Sequence, residues 1–335
     1  MVNIALLSRW HVHADDYARE IQANDNLSIK LVWDENADRG ERWAEELGVP
    51  FEPDLQKVLT DPSIEGVVVT TPTNLHKEVI ISAAKNKKHI FTEKVLAFTV
   101  QDCKEIYNTI DQYGVELMVS LPRLTEDYYL YAQKVIDNNW IGKLTTIRCR
   151  TAHDGAVVSP GENEGWLPKR FFEKEKSGGG ALIDLGAHPI YLTNRLAGKV
   201  KKLVARMNHT NNLGADDNAV ILAEYESGAM GILETGFLSK GSPFQLELYG
   251  TEGTLLIEEN NIRQKFGNGE WSSPDNPPKS LPMPMEQWAL AIINGTAPAI
   301  KQTDVINLTL VNNIAEKSNK EGCWINPESI ISPLE

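Results

Sequence analysis

The sequence predicts an α/β chain, with a doubly wound parallel sheet in residues 1–121 and an α+β domain on a large, mainly antiparallel sheet in residues 122–335. Three observations carry that prediction. At 335 residues the chain is longer than one hydrophobic core usually stays undivided. Through its first third, short apolar runs alternate with amphipathic stretches, as strands do when helices cover both faces of their sheet. After Pro122 the runs lengthen and alternate in polarity, and turns such as Glu226-Ser227-Gly228 separate them, as antiparallel strands require.

In order, strands are expected at 4–7, 28–33, 66–69, 89–91 and 115–119, each short and rich in β-branched or aromatic residues. Helical patterns fall between and after them at 15–23, 37–47, 55–59, 77–86 and 99–113. Strand, helix, strand in this repeated order is a Rossmann-type arrangement, which suits dinucleotides. A further helix is expected at 125–138, then strands at 145–152, 202–208, 219–225, 230–237, 245–249 and 253–257. A stretch rich in Gly, Pro, Ser and Asn at 267–284 precedes closing helical patterns at 285–293 and 306–319, which are free to pack back on the first domain.

Composition narrows the function. With 33 basic and 46 acidic side chains the formal net charge is -13, a field that repels nucleic-acid phosphates and anionic lipid, so neither partner is expected. Cys103, Cys149 and Cys323 are odd in number and lack C-x-x-C spacing, which supports neither a disulfide framework nor a zinc site and fits a reducing compartment. The apolar run at 4–7 is too short for a signal peptide, so a cytoplasmic protein is expected.

Ligand chemistry in such folds sits at the carboxyl ends of the strands. The first strand-to-helix turn reads Ser8-Arg9-Trp10-His11-Val12-His13-Ala14 and lacks G-x-G-x-x-G. Asp34, after the second strand, can accept from both ribose hydroxyls, or can cap the next helix. Glu35 beside it should repel a 2′-phosphate and favour NAD over NADP, with Arg39 softening the preference. Thr70-Thr71-Pro72-Thr73-Asn74-Leu75-His76 follows the third strand. It offers hydroxyls and amides to ribose or phosphate, or simply a capped turn in which His76 orients the loop.

Glu93-Lys94 follows the fourth strand. A lysine there can donate to a substrate hydroxyl while the glutamate fixes the ammonium or a cofactor hydroxyl, although most such pairs are solvated surface. Behind Gly178-Gly179-Gly180, Asp184 and His188 stand four apart on one expected helical face. The carboxylate can then orient the imidazole as a general acid-base, while the glycines pass close to a ligand; the alternative is a satisfied core histidine. His11 and His13 have H-x-H spacing, but no carboxylate or cysteine completes a metal site in sequence, so none is expected.

These motifs, in this order, resemble the glucose-fructose oxidoreductase and inositol dehydrogenase (Gfo/Idh/MocA) family. The resemblance rests on residues 71–76, 88–94, Ile141-Gly142-Lys143 and 178–188. It implies an NAD(P)-dependent dehydrogenase or reductase of a sugar, cyclitol or other small polyhydroxy substrate, with Lys94, Asp184 and His188 as the catalytic group. By the same resemblance Ser8, Arg9, Trp10, His11, His13, Asp34, Thr71, Pro72, Asn74, His76, Glu93 and Lys94 lie toward the cofactor, and Arg123, His153, Asp154 and Trp166 toward the substrate. The C-terminal sheet would join homodimers or homotetramers. Other readings of the same likeness are a sugar-binding or regulatory protein and a glycosidase that oxidises its substrate transiently with bound NAD.

Two departures stand out. The glycine loop is rewritten, with His13 resembling the histidine that commonly follows it. Val95 replaces the proline of Glu-Lys-Pro, and a non-proline residue is expected to resist a cis bond by ~2.5–4 kcal/mol, which would leave Lys94 pointing differently.

Overall fold

A computed structural model of the chain describes residues 1–330. It divides into two compact units, one of Met1–Pro122 with Pro282–Gln302, the other of Arg123–Leu281 with the chain from Thr303.

The first unit opens β1 (Val2–Leu7), α1 (Ala14–Gln22), β2 (Leu27–Trp33), α2 (Ala37–Leu47), α3 (Leu55–Thr60), β3 (Gly66–Val69), α4 (Thr73–Lys85), β4 (His89–Thr92), α5 (Val100–Tyr113) and β5 (Leu117–Val119). The five strands form one sheet in the order β2-β1-β3-β4-β5, paired in parallel throughout. β3 is buried at every position, as a strand covered on both faces must be. Local chemistry sets the helix ends. Asn36 caps α2 by accepting from Arg39 N, and Gly48 ends it at φ 68°; Thr99 caps α5 and Gly114 ends it at φ 64°. Both glycines take the left-handed conformation that terminates helices.

The second unit holds α6 (Asp127–Asp137), β6 (Leu144–Ala152), α7 (Lys174–Ser177), α8 (Ala187–Ala197), β7 (Val200–Asn208), β8 (Asn218–Tyr225), β9 (Met230–Gly236), β10 (Gln245–Gly250), β11 (Gly253–Glu258) and β12 (Asn261–Phe266). These strands make a seven-stranded sheet, β12-β11-β10-β6-β9-β8-β7. Only the β6–β9 pairing is parallel. In β8, Ala219, Ile221 and Ala223 are buried while Val220 and Leu222 are exposed, the period-two alternation of a sheet packed on one face. α8 packs against β6 and β9.

The chain then returns to the first unit with α9 (Pro284–Asn294) and ends in the second with α10 (Gln302–Glu321). Trp288 of α9 is wholly buried, 5.9 Å from the Phe91 ring. A Cβ on Gly66 would stand 2.9 Å from both the Trp288 and Ile4 side chains, so the indole occupies the space that glycine leaves on β3.

Three local expectations change. β12 was not anticipated. α4 begins at Thr73, which places Asn74 and His76 inside the helix. Asp184 lies in hydrogen-bonded turns ahead of α8, so it does not share a regular helical face with His188. Among the described residues no helix is long and apolar enough to cross a membrane.

Candidate active site

In the first unit the candidate residues gather at the carboxyl ends of β1 to β4. The rewritten loop after β1 folds onto its neighbours. Ser8 holds φ 81°, a region that glycine enters more readily. Its carbonyl accepts from Thr70 Oγ1 at 2.6 Å and its hydroxyl accepts from Trp10 N at 3.0 Å. His11 N donates to Thr70 O at 3.1 Å. Arg9 pairs with Asp15 at 2.9 Å and Glu46 at 2.8 Å, and Trp10 is buried.

Asp34 is not the helix cap, since Asn36 fills that position. The buried Asp34 carboxylate instead accepts from Arg9 N at 2.8 Å, Asn36 N at 2.7 Å, and Arg39 Nε and Nη2 at 2.9 and 2.7 Å. Arg39 also reaches Glu35 at 2.6 Å. Burial alone would lower the Arg39 pKa, but hydrogen bonds and charge from Asp34 and Glu35 raise it.

At the end of β3, Thr71 is buried and its Oγ1 has no protein partner. An orphaned buried hydroxyl is costly. At this edge of an open α/β sheet it fits a group supplied by a bound dinucleotide. Pro72 is the α4 cap position and makes no side-chain cap bond; Asn74 is exposed on the first turn. His76 orients the loop: Nδ1 lies 3.1 Å from Val95 O and Nε2 3.2 Å from Thr71 O.

Glu93 and Lys94 are 2% and 8% exposed, which separates them from solvated surface pairs. Glu93 Oε2 accepts from Lys94 N at 3.0 Å, and Oε1 accepts from the Tyr17 hydroxyl. Burial would raise the Glu93 carboxyl, but the charges of His11, His13 and Lys94 hold it below the usual range. Tyr17 is pushed well above its ordinary value by burial and then by the Glu93 charge. The Lys94–Val95 peptide is cis, so valine holds the bond in the form it was expected to resist.

In the second unit, His188 is the second residue of α8, and its Nδ1 lies 2.7 Å from the Tyr191 hydroxyl. Burial drives the Tyr191 pKa well above normal, with partial relief from Arg123, including a backbone hydrogen bond. The Tyr191 hydroxyl and His188 Nδ1 thus share one hydrogen bond. The Arg123 guanidinium donates to Tyr128 Oη at 2.9 Å and lies over the Phe244 ring at 4.5 Å.

Gly180 does not open space for a ligand. A Cβ there would stand 1.8 Å from Asp216 O, and Asp216 accepts from the Gly180 and Leu182 amides at 2.9 and 2.8 Å. The glycine serves the turn that carries Asp184. His153 stacks on Phe237 at 5.0 Å and lies 4.6 Å from the Trp166 ring. Trp166, exposed, donates to Asp154 Oδ1 at 3.1 Å. These three predicted substrate residues thus form one cluster.

Sequence reasoning missed Tyr17, Tyr191 and Asp216. Tyr191 had a usable signal, since residues three apart on a helix are neighbours. Tyr17 and Asp216 act across long sequence separations and had none.

Residues 11–121 match the family model described as an oxidoreductase family with an NAD-binding Rossmann fold, and residues 129–256 match the GFO/IDH/MocA C-terminal domain. The chain belongs to the Gfo/Idh/MocA family of NAD-binding oxidoreductases. It is similar to the NAD(+)-dependent scyllo-inositol 2-dehydrogenase of Bacillus subtilis, 31% identical over 237 residues, which cover 68% of this chain and 66% of that one. It is also similar to the 2,7-anhydro-N-acetylneuraminate hydratase of Escherichia coli, 28% identical across 77% of this chain and 68% of the relative. The chain thus spans about two thirds of these relatives' length. In fold it matches levoglucosan dehydrogenase, solved with NADH and levoglucosan, at a TM-score of 0.81 and 20% identity over 97% of this chain and 98% of that one.

Proposed function

We propose that the chain is a nicotinamide-dependent dehydrogenase or reductase of a sugar, cyclitol or related polyhydroxy compound. The observation that carries this reading is the burial of Glu93 and Lys94 at the carboxyl end of β4, the edge where open α/β sheets bind ligands. Thr71, Asp34 and Glu93 would hold the dinucleotide, which when bound supplies or takes the hydride at the substrate carbon. Lys94 binds the reacting oxygen. His188 exchanges that oxygen's proton, and Asp184 orients His188. With Nδ1 engaged by the Tyr191 hydroxyl, Nε2 is the ring nitrogen that exchanges this proton.

NAD is favoured over NADP, because the Arg39 charge is already matched by Asp34 and Glu35. Exposed Val220, Leu222 and Met230 on neighbouring strands of the second sheet support a homodimer or homotetramer through that face. Leu222→Glu should then lower the mass seen by light scattering. Net charge and the free cysteines support a cytoplasmic setting.

Fluorescence titration with NADH, followed by a polyol panel with NAD and NADP, tests the reading. Lys94→Ala and His188→Ala should each lower turnover about a hundredfold or more with NADH affinity retained. Absence of NADH binding at millimolar cofactor sinks it. A second reading is a glycosidase that oxidises its substrate transiently with bound NAD and leaves NADH unchanged; the hydratase relative is likewise named for a reaction without net oxidation. Product formation at constant nicotinamide absorbance would select it, and sugar binding without any turnover would select a purely regulatory protein.

A further inference from the structure

The H-x-H pair ahead of α1 is not used up by the reading above. The fold brings Glu93, distant in sequence, beside it. One donor atom from each of His11, His13 and Glu93 lies within 4.8 Å of the other two. His11 Nδ1 is 3.5 Å from Glu93 Oε1. Tetrahedral bonds of ~2.0–2.2 Å separate neighbouring ligands by roughly 3.4 Å, so this pair already stands at ligand spacing.

His11 Nδ1 accepts a long hydrogen bond from His13 N at 3.3 Å, which an ion bound at that nitrogen would replace. His13 Nδ1 lies 2.9 Å from Asp16 Oδ2. A carboxylate on one ring nitrogen fixes the tautomer and leaves the other as a more basic ligand, the arrangement found around metal-bound histidines. Glu93 and His11 are buried while His13 is exposed, which gives an ion a path from solvent.

The local field also favours a cation. Asp15 and Asp16 occupy the first turn of α1. Lys94 is the opposing charge beside Glu93, and Arg9 is paired to Asp15.

We propose that His11, His13 and Glu93 form a binding site for one divalent transition-metal ion, Zn2+ before other common divalent ions, with water completing its coordination. Two imidazoles and one carboxylate suit zinc, cobalt or ferrous iron better than magnesium or calcium. If Glu93 also holds the dinucleotide, a consequence that rests on the proposed function, ion and cofactor compete and Zn2+ weakens NADH binding. Metal binding itself does not depend on that reading.

The test uses the full chain stripped by a chelator, titrated without cofactor with Zn2+ by calorimetry and with Co2+ by visible absorption. One equivalent should bind. His13→Ala, at an exposed position, and Asp16→Asn, at a half-buried one, should weaken binding about tenfold or more, while Cys323→Ser, which removes the exposed thiol, should leave it unchanged. Glu93→Gln should abolish the cobalt spectrum. No Zn2+ binding at millimolar ion, or equal affinity in the wild type and His13→Ala, overturns the site. Binding of Zn2+ by a chain that fails to bind NADH upholds the site and overturns only the cofactor reading.

Discussion

Arg39 grips Asp34 at two points, Nε to Oδ2 at 2.9 Å and Nη2 to Oδ1 at 2.7 Å. The carboxylate expected to read an adenosine ribose is therefore held by its own guanidinium. Bidentate pairs of this kind are both strong and directional. Arg39→Ala should sharpen the preference for NAD, and Asp34→Ser, which releases Arg39, should shift the ratio of kcat/KM values toward NADP about tenfold, or ~1.4 kcal/mol. Steady-state kinetics with both cofactors checks it; an unmoved ratio removes Asp34 from cofactor selection.

Tyr191→Phe deletes the hydroxyl at His188 Nδ1 and with it a contact that orients the imidazole. Turnover should fall about tenfold while NADH affinity stays near wild type, and the pH profile of kcat should move. A loss of thermal stability with normal kcat would mark Tyr191 as a packing residue only.

His76 gives a pH dependence whose sign can be stated. Burial lowers its pKa, and the carbonyls of Thr71 and Val95 offset that only in part. The unfolded chain then binds the proton more readily than the folded one, so stability rises with pH through this interval. The contribution is present above about pH 6.5 and is lost as pH falls toward the depressed folded value. Urea denaturation at pH 7.5 and 5.5 should show a larger drop for the wild type than for His76→Gln.

Tyr17→Phe leaves the buried Glu93 carboxylate without its phenol donor. A stability loss of about 1–3 kcal/mol is expected, read from chemical denaturation, together with weaker NADH binding if Glu93 serves the cofactor.

Gly180→Ala places a methyl against the Asp216 carbonyl. Backbone must move to admit it, so a loss of about 3 kcal/mol or more is expected. Gly179→Ala meets side chains alone, Ile183 at 3.1 Å and Asp216 Oδ1 at 3.7 Å, and should cost less. Equal midpoints for the two variants would remove this account of the glycine run.

The parallel sheet was legible because its strands are short apolar runs, buried on both faces, with helical periodicity between them. β12 escaped because Asn261–Phe266 carries Arg263, Gln264 and Lys265, and an edge strand need not be apolar. Lys94 and His188 were singled out by motif position. What sequence could not reveal is assembly over distance. Glu93 lies far along the chain from both Tyr17 and His11, and Asp216 supports Gly180 from a different strand connection. Local pattern also misplaced Asp184, because its spacing from His188 fits a helix and the chain uses turns instead.

Trp288 belongs to a helix that enters the chain after most of the second unit, yet it closes the core of the first beside Gly66 and Phe91. During synthesis the amino-terminal sheet emerges early and must wait, with that part of its core uncovered, until α9 follows it out of the ribosome. Domains made from contiguous sequence can finish in the order they are translated. Here the unit whose strands come earlier in the sequence is completed late, and a nascent chain interrupted before Pro284 exposes apolar surface to whatever chaperone or protease meets it first.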